Sequence, residues 1–220
     1  MWNNSILVRY NHILFEGFKV TLSLTFLAFF SAVILALIAA LCRTSSRKWL
    51  NAPAKFFIQL TRNTPILVSL VWFTYALPIF LNVRIPNFWT ALLALTTQEA
   101  GYMAEVIRTG LEAVGKDQRL AARSIGMDYY QELKRIVIPQ AFRITLPAIM
   151  NDFVSVFKLS ALVSVVAVPD MMYYAHKIVG QTFRTMETYT TIAIIYVLAI
   201  VILQLVVNRI EKRFGSYYLE

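Results

Sequence analysis

The sequence predicts an all-α membrane protein, and three observations support that fold class. The 220 residues are 58% hydrophobic and only 15% charged, with a mean hydropathy of +0.60, which is too apolar for a soluble domain of this length. Several apolar runs approach or exceed the roughly 20 residues that a helix needs to cross a bilayer. Most of the 21 basic residues lie in short connections between these runs, as membrane topology requires.

Five apolar runs predict five membrane spans within a single transmembrane domain, residues 1–220. The spans cover residues 20–42, 64–81, 88–107, 146–168 and 189–207. The second run is short and contains Pro65 and Pro78, so it predicts a slightly irregular helix. The segment before residue 20 is mixed polar and aromatic and lacks the pattern of a cleavable signal peptide, so the first span is expected to stay as an anchor.

The distribution of basic residues predicts the orientation. Fifteen of them lie in residues 43–62, in residues 108–143 and after the fifth run, while five lie in the other connections and Lys158 lies inside a span. Residues 43–62 contain no acid at all. This asymmetry places the N-terminus outside and the C-terminus and both basic loops in the cytoplasm.

Several classes of protein are disfavoured. A single cysteine, Cys42, excludes an intrachain disulfide framework and a cysteine-based metal site. The net charge of +9 does not indicate nucleic-acid binding, because the positive residues follow the membrane topology. The odd number of spans and the missing internal repeat disfavour a secondary transporter. No G-x4-G-K-[ST] loop is present, so the chain is not an ATPase and no cofactor is expected in it.

A polar insert, residues 115–143, separates the third and fourth runs. Asp117 is expected to cap a short helix over residues 118–124, and Gly126 to end that helix in a left-handed conformation. Asp128 can cap a second helix, in a capping box with Gln131. Pro139 is expected to stop this second helix. From the residues alone, the insert is either a basic connecting loop or a compact structure that packs against a partner.

The insert and its flanks resemble the binding-protein-dependent permeases of ATP-binding-cassette (ABC) importers. The family pattern is E-A-A, three residues, G, and about nine residues later I-x-L-P; this chain has L-A-A at 120–122, Gly126, and I-V-I-P at 136–139. The segments R-N-T-P at 62–65, Y-M-A-E-V-I-R at 102–108 and P-Q-A-F-R at 139–143 are similar to motifs of its polar amino acid uptake subfamily. The resemblance covers roughly residues 15–210.

Two positions depart from the family pattern. Leu120 replaces the glutamate of the cytoplasmic motif, so any role of that carboxylate is absent or moved. In the fourth span, K-L-S-A-L at 158–162 stands where the subfamily frequently has K-D-T-S-L, which removes an acid and a hydroxyl.

The resemblance implies a type I importer permease: a non-catalytic, multi-pass subunit in the bacterial inner membrane that moves a polar amino acid or a similar compound. It implies three kinds of partner. The first is a cytoplasmic ABC ATPase dimer that carries ATP and Mg, and the second is an identical or related permease subunit. The third is a periplasmic or extracellular solute-binding protein, for which residues 169–188 are a candidate contact. It also implies a coupling helix seated on the ATPase. The residues expected in that contact are Asp117, Gln118, Arg119, Leu120, Ala121, Ala122, Arg123, Ser124 and Gly126. The alternative is a membrane scaffold or signalling protein whose basic loops bind anionic lipid.

Charged residues inside the predicted spans need an explanation, because their transfer into the bilayer is costly. Glu105 precedes Arg108 by three residues and is expected in a local ion pair or a subunit contact. Asn151, Ser155 and Lys158 share one face of the fourth span, with Asp152 on its flank.

A second polar cluster surrounds Glu99 in the third span. The hypothesis is that Glu99 and the four polar residues of the fourth span line the substrate path, with Asp152 available to an ammonium group. The alternative, that they pair with one another or across the interface with the second permease subunit, stays open.

Overall fold

The computed structural model describes residues 5–45 and 47–214, and these residues are almost entirely helical. The elements are α1 (Ser5–Thr44), α2 (Lys48–Asn63), α3 (Ile66–Val71), a π-helical turn (Trp72–Ala76), α4 (Leu77–Leu81), α5 (Asn87–Ala113), α6 (Lys116–Ser124), α7 (Tyr129–Glu132), a second π-helical turn (Leu133–Val137), α8 (Ile138–Leu159), a 3-10 segment (Ser160–Val166), α9 (Met171–Thr182) and α10 (Thr185–Phe214). No strand occurs in this described part of the chain, which confirms the all-α prediction.

Length and composition allow three of the described helices to cross a membrane: Arg9–Thr44, Tyr129–Val166 and Thr185–Arg213. Lys48–Asn63 and Ile66–Leu81, bent by 106° relative to each other, would add a fourth if the pair formed one span. Helix α5 has 27 residues and is about 40 Å long, but acidic and basic side chains lower its hydropathy. The count of five spans therefore stays a prediction.

Two connections that the sequence analysis treated as loops contain helices. Residues 43–62 include most of α2, and the predicted connection 169–188 includes α9. Helix α2 buries Ala54 and Ile58 against α1 and α5. The prediction was wrong here because this burial depends on tertiary neighbours, and a 16-residue segment with Pro53 inside it has only a weak helical signal of its own.

Pro139 does not stop the second helix of the insert, contrary to the prediction. The chain continues from α7 through a π turn into α8, where the Ile138 N–H donates to the Leu133 carbonyl five residues earlier. The same arrangement precedes Pro78, where the Leu77 N–H donates to the Trp72 carbonyl. The wider π turn accommodates the proline ring, and the local change in hydrogen bonding compensates for the N–H that proline lacks. Each helix therefore continues with a local irregularity. This confirms that the second predicted span is irregular.

Helix α5 lies in the centre of the structure and packs on α1, α2 and α8. Small side chains let the helices approach closely, as is common in membrane bundles. Ala36 and Ala40 of α1 are fully buried with Ala100 and Ala104 of α5. Gly101 of α5 lies so near α2 that an added Cβ would collide with Thr61 Oγ1. Helices α1, α2 and α5 therefore form one closely packed unit, and α5 leads directly into the insert.

Candidate functional site

The first helix of the insert, α6, begins two residues earlier than expected. Its N-cap is Gly115, with extended backbone angles of φ −55° and ψ 143°, and no side chain caps it. Asp117 lies in the first turn instead. The N-cap prediction for Asp117 was therefore wrong, although its carboxylate still lies at the positive end of the helix dipole.

The turn between α6 and α7 has the predicted geometry. Gly126 adopts a left-handed φ of +83°, which glycine accepts without the steric cost that other residues incur. Asp128 Oδ1 accepts a hydrogen bond from the Gln131 N–H at 2.8 Å, and the Asp128 N–H donates to Gln131 Oε1 at 3.4 Å. Both the left-handed glycine and the capping box are confirmed.

A buried carboxylate, Glu132, holds the insert together. Its side chain is 1% exposed and accepts a hydrogen bond from Arg123 Nε at 2.8 Å, while Arg119 Nε lies 4.0 Å from its second oxygen. Arg119 also donates to the Leu111 carbonyl of α5 at 2.8 Å. Helix α6 is thereby fixed to both α7 and the end of α5. Sequence analysis missed Glu132 because an acid on a short polar helix ordinarily faces water.

Four large apolar residues of α6, of α7 and of the turn between them are exposed. Leu120 is 61% exposed and Ile125 is 74% exposed, and Tyr129 and Tyr130 of α7 are each 67% exposed. Ala122, in contrast, faces inward and is only 1% exposed. Exposed large apolar side chains on a polar segment are typical of a contact with another protein. We call residues 120, 125, 129 and 130 the outer surface of the insert.

The remaining predicted coupling residues lie around this surface. Gln118 accepts a hydrogen bond from Gln140 Nε2 at 3.2 Å, and Ser124 Oγ donates to the Leu120 carbonyl at 3.0 Å. Asp117, Ala121 and Gly126 are exposed. The nine predicted residues therefore form one continuous segment, but Arg119 and Arg123 direct their charges inward to Glu132.

A second candidate site lies between α5 and α8, where two carboxylates come near each other. Glu99 is 3% exposed, and Asp152 is close enough for its charge to act on Glu99. Three buried polar atoms of these two helices have no hydrogen-bond partner among the described residues: Thr96 Oγ1, Gln98 Oε1 and Asp152 Oδ2. Unpaired buried polar atoms are rare in native proteins and indicate that a further group, such as a water or a ligand, is needed.

The four polar residues predicted to line one face of the fourth span do not share one environment. Asn151 donates to Glu211 Oε1 at 3.1 Å and accepts from Gln204 Nε2 at 3.2 Å, so it is bound to α10. Ser155 donates to the Asn151 carbonyl at 3.3 Å. Lys158 is exposed and makes no ion pair within the described residues. Asp152 is the one of these four residues whose charge acts on Glu99.

Glu105 forms the expected local ion pair. Its Oε1 lies 2.6 Å from Arg108 Nη2, and Glu112 Oε2 lies 2.5 Å from Arg108 Nη1. These three residues are a network along one side of α5, which confirms the ion-pair interpretation. Within the described part of the chain, no group of three or more His, Cys, Asp or Glu side chains could hold a metal ion.

The fold and these sites define a helical membrane protein with a polar insert that exposes apolar side chains, and comparison with known proteins identifies its family. Residues 32–216 match the family described as "Binding-protein-dependent transport system inner membrane component". The chain belongs to this family.

Individual relatives agree with the family assignment. The L-cystine transport system permease protein TcyB of Bacillus subtilis is 34% identical over 206 residues, covering 93% of this chain and 88% of the relative. The arginine transport system permease protein ArtQ of the same organism is 31% identical over 201 residues, covering 91% of this chain and 92% of the relative.

Solved structures share the fold along nearly the whole chain. A chain in a crystal structure of an amino acid ABC transporter with histidines superposes with a TM-score of 0.89 at 36% identity, covering 94% of this chain and 96% of that one. A chain of the MetNI methionine ABC transporter in an inward-facing conformation gives a TM-score of 0.79 at 18% identity, covering 94% of this chain and 98% of that one, which shows a common fold.

Proposed function

We propose that this chain is the permease subunit of an ATP-driven, solute-binding-protein-dependent importer that moves a polar amino acid or a similar compound. The observation that carries this proposal is the family match over residues 32–216, together with 36% identity to a chain of an amino acid ABC transporter. In this proposal the chain crosses the bacterial inner membrane five times, with its N-terminus outside and its C-terminus in the cytoplasm. It performs no catalysis and pairs with an identical or related permease.

The outer surface of the insert is the proposed contact with the ATPase subunits, which bind ATP and Mg. Its support is local rigidity combined with exposed apolar area, since Glu132 and Arg119 fix α6 to α5 while Leu120 and Ile125 face outward. A rigid insert can pass a movement of the ATPase to the adjoining helices α5 and α8. At the position of the family glutamate, the contact then rests on the shape and apolar character of Leu120.

Transport by the reconstituted complex tests the proposed function. The chain is co-expressed with candidate ATPase and binding-protein subunits from the same genome, purified as a complex and placed in liposomes with ATP inside. Uptake of labelled arginine, glutamine, histidine and cystine is then measured with the binding protein outside. We expect uptake of at least one compound that stops when the ATPase cannot hydrolyse ATP. The proposal is contradicted if the chain purifies without an ATPase or if uptake does not depend on ATP.

A charge on the outer surface tests the ATPase contact. Leu120→Asp puts a carboxylate into an apolar interface, where desolvation without a partner is unfavourable. We expect the ATPase to be lost from the purified complex. The matched control is Val83→Asp, since Val83 is also apolar and is 48% exposed but lies on the predicted outside. Equal ATPase recovery for both variants argues against the contact.

Glu99 and Asp152 are the proposed polar lining of the substrate path, and the partnerless Asp152 Oδ2 supports this role. Asn151 has a structural role in the proposal, because α10 already supplies its partners. Asp152→Asn is expected to assemble normally but to reduce uptake about tenfold or more, as removal of a charged hydrogen-bond partner does. Gln204→Leu, which removes a hydrogen bond to Asn151, is the structural control. Unchanged uptake by Asp152→Asn contradicts the substrate role.

A further inference from the structure

Helix α2 has three distinct sides, and only one of them packs on the protein. Ala54 and Ile58 are buried, 8% and 3% exposed, against α1 and α5. Trp49, Phe56 and Leu60 form a stripe at helical spacing, and they are 68%, 67% and 54% exposed. Large apolar side chains at this exposure need a nonpolar environment outside the described chain.

The third side of α2 is basic. Lys48, Lys55 and Arg62 recur every seven residues, so they form a second stripe along the helix. At about 100° per residue, the basic stripe points about 120° away from the apolar stripe and about 80° away from the buried side. No acidic residue occurs anywhere between Glu16 and Glu99 in the sequence. No acid in this segment therefore balances the positive charge of α2. Arg62 also lies over the Tyr102 ring of α5, 5.7 Å from its centroid, and its charge acts on Glu105, so Lys48 and Lys55 are the basic residues that most need an anionic partner.

The neighbours of α2 place it at a membrane surface. Helix α1 is long and apolar enough to span and ends at Thr44, and α2 begins four residues later. Arg43 Nη1 donates to Asn51 Oδ1 at 2.9 Å, and Asn51 Nδ2 donates back to the Arg43 carbonyl, which holds α2 at the end of α1.

The other end of α2 is fixed just as firmly. Tyr102 of α5 donates through its hydroxyl to the Arg62 carbonyl at 3.0 Å, and Gln98 donates through Nε2 to the Thr64 carbonyl at 3.1 Å. The chain then turns by 106° into Ile66–Leu81. Two helices at this angle cannot both run along the membrane normal. Because Ile66–Leu81 falls in the predicted second span, α2 is the helix that we expect to lie across the normal.

We propose that α2 is an interfacial helix that binds anionic phospholipid in the leaflet beside Thr44. The stripe of Trp49, Phe56 and Leu60 enters the acyl-chain region, and Lys48, Lys55 and Arg62 bind the lipid phosphates. Long basic side chains can keep their charge among headgroups while their methylene groups cover apolar surface. This inference goes beyond transport: the lipid becomes a ligand of the subunit and fixes the helix that packs directly on α5.

Charge complementarity favours lipid over a second protein as the occupant. A protein partner would have to cover an apolar stripe and supply acids to a basic stripe about 120° away on a narrow helix. A bilayer interface presents acyl chains and anionic headgroups at this separation along the whole length of the helix.

Quenching of Trp49 fluorescence by brominated lipids tests the proposal. The full chain, in complex with its partner subunits, carries Trp49 as the only tryptophan, with the other three replaced by phenylalanine. It is placed in nanodiscs in which either the zwitterionic or the anionic lipid is brominated on its acyl chains, at equal mole fraction. We expect quenching in both cases, and at least about twofold stronger quenching by the anionic lipid, because nearby basic residues enrich it.

Two matched variants separate lipid recognition from general positive charge. Lys48→Gln, Lys55→Gln and Arg62→Gln together should abolish the preference for anionic lipid, whereas Arg9→Gln, Arg84→Gln and Lys177→Gln together should retain it. If the first triple variant does not assemble, Lys55→Gln alone should reduce the preference. Absence of quenching shows that water or protein covers Trp49 and overturns the proposal, as does a preference that survives the first triple variant. The measurement needs no transport, so its failure leaves the importer function untouched.

Discussion

Glu132 is the residue whose loss should most affect the insert. In Glu132→Gln, the buried side chain keeps its shape but loses the charge that pairs with Arg123 and faces Arg119. We expect a loss of about 1 to 3 kcal/mol in the stability of the insert, as for other buried partners of charged groups. Hydrogen exchange of α6 amides in the purified complex measures this loss directly.

Glu112→Gln is the control for Glu132→Gln. Glu112 also pairs with an arginine, at 2.5 Å, but its side chain is 61% exposed, so water replaces the lost interaction and less than about 1 kcal/mol is expected. If both variants left α6 equally protected from exchange, the buried ion pair would not be what fixes the helix.

Asp170 gives the chain a defined pH response. Its carboxylate is fully buried, accepts the Tyr173 N–H at 2.8 Å and lies 3.5 Å from the Tyr196 hydroxyl. Burial raises the pKa of Asp170 to about 6 from its ordinary value of 3.8, although the hydrogen bonds to Tyr173 and Tyr196 oppose this shift. The folded protein therefore favours the neutral carboxyl. Its contribution to stability is complete below about pH 4 and is lost as the pH rises through 6.

Asp170→Asn should flatten this response. Asparagine is also a good N-cap, so the start of α9 is kept while the titrating group is removed. The wild type should lose up to about 3 kcal/mol between pH 4 and pH 7 from this group, and the variant should not. Thermal unfolding of the purified complex across this range measures the difference. The exposed cap Asp128→Asn serves as control, and parallel curves for wild type and Asp170→Asn would contradict the prediction.

At the scale of the element, the turn after α6 allows a clean test of backbone strain. Gly126 has a φ of +83° and nothing within 4 Å of an added Cβ, so a substitution there is opposed by backbone conformation alone. Gly126→Ser should destabilise the turn by about 1 to 2 kcal/mol and reduce substrate-stimulated ATPase activity.

Gly115→Ser is the matched control for Gly126→Ser. Gly115 also has nothing within 4 Å of an added Cβ, but its φ of −55° suits any residue, and serine caps helices well. This variant should behave like the wild type. Equal ATPase stimulation in both serine variants would show that the left-handed turn is not needed for coupling.

Features that depend on a few neighbouring residues could be predicted from the sequence, and features that depend on distant ones could not. The capping box of Asp128 and Gln131 and the left-handed Gly126 follow from residue chemistry within four positions. The continuation of the helix past Pro139 requires a π turn, which no local sequence pattern predicts. The burial of Glu132 requires Arg123 from another helix. Helix α2 could not be predicted because its apolar residues pack on the surfaces of α1 and α5, which the local sequence does not show.

At the scale of the whole molecule, orientation in the membrane is the property to measure. The positive charge distribution predicts the N-terminus outside. In a Cys42→Ser background, Arg84→Cys should react with a membrane-impermeant maleimide on intact cells, while Lys212→Cys should react only after permeabilisation. Both native side chains are exposed, so access within the protein does not limit the reaction. The reverse labelling pattern would invert the proposed topology.

The all-α class was accessible from hydropathy, because backbone groups in a bilayer must be satisfied within helices. The candidate substrate path was less accessible. Spacing along the fourth span put Asn151 and Lys158 on one face. In the structure, however, Asn151 is hydrogen-bonded to Gln204 and Glu211 of α10, and Asp152 is the residue near α5. Such pairings depend on the packing of helices that are distant in sequence, and residue spacing within one helix does not predict that packing.

The corner between α2 and α3 also sets the thickness of bilayer that suits the protein. Beyond this corner only Ile66–Leu81 remains to reach the far side, a length of about 24 Å, whereas a typical hydrocarbon core is about 30 Å thick. Ile79 and Phe80, at the far end, are 80% and 83% exposed and belong among acyl chains. With α2 at the membrane surface, as proposed above, we expect the lipid along this side of the subunit to thin by several ångström, and short-chain lipids would need the least deformation.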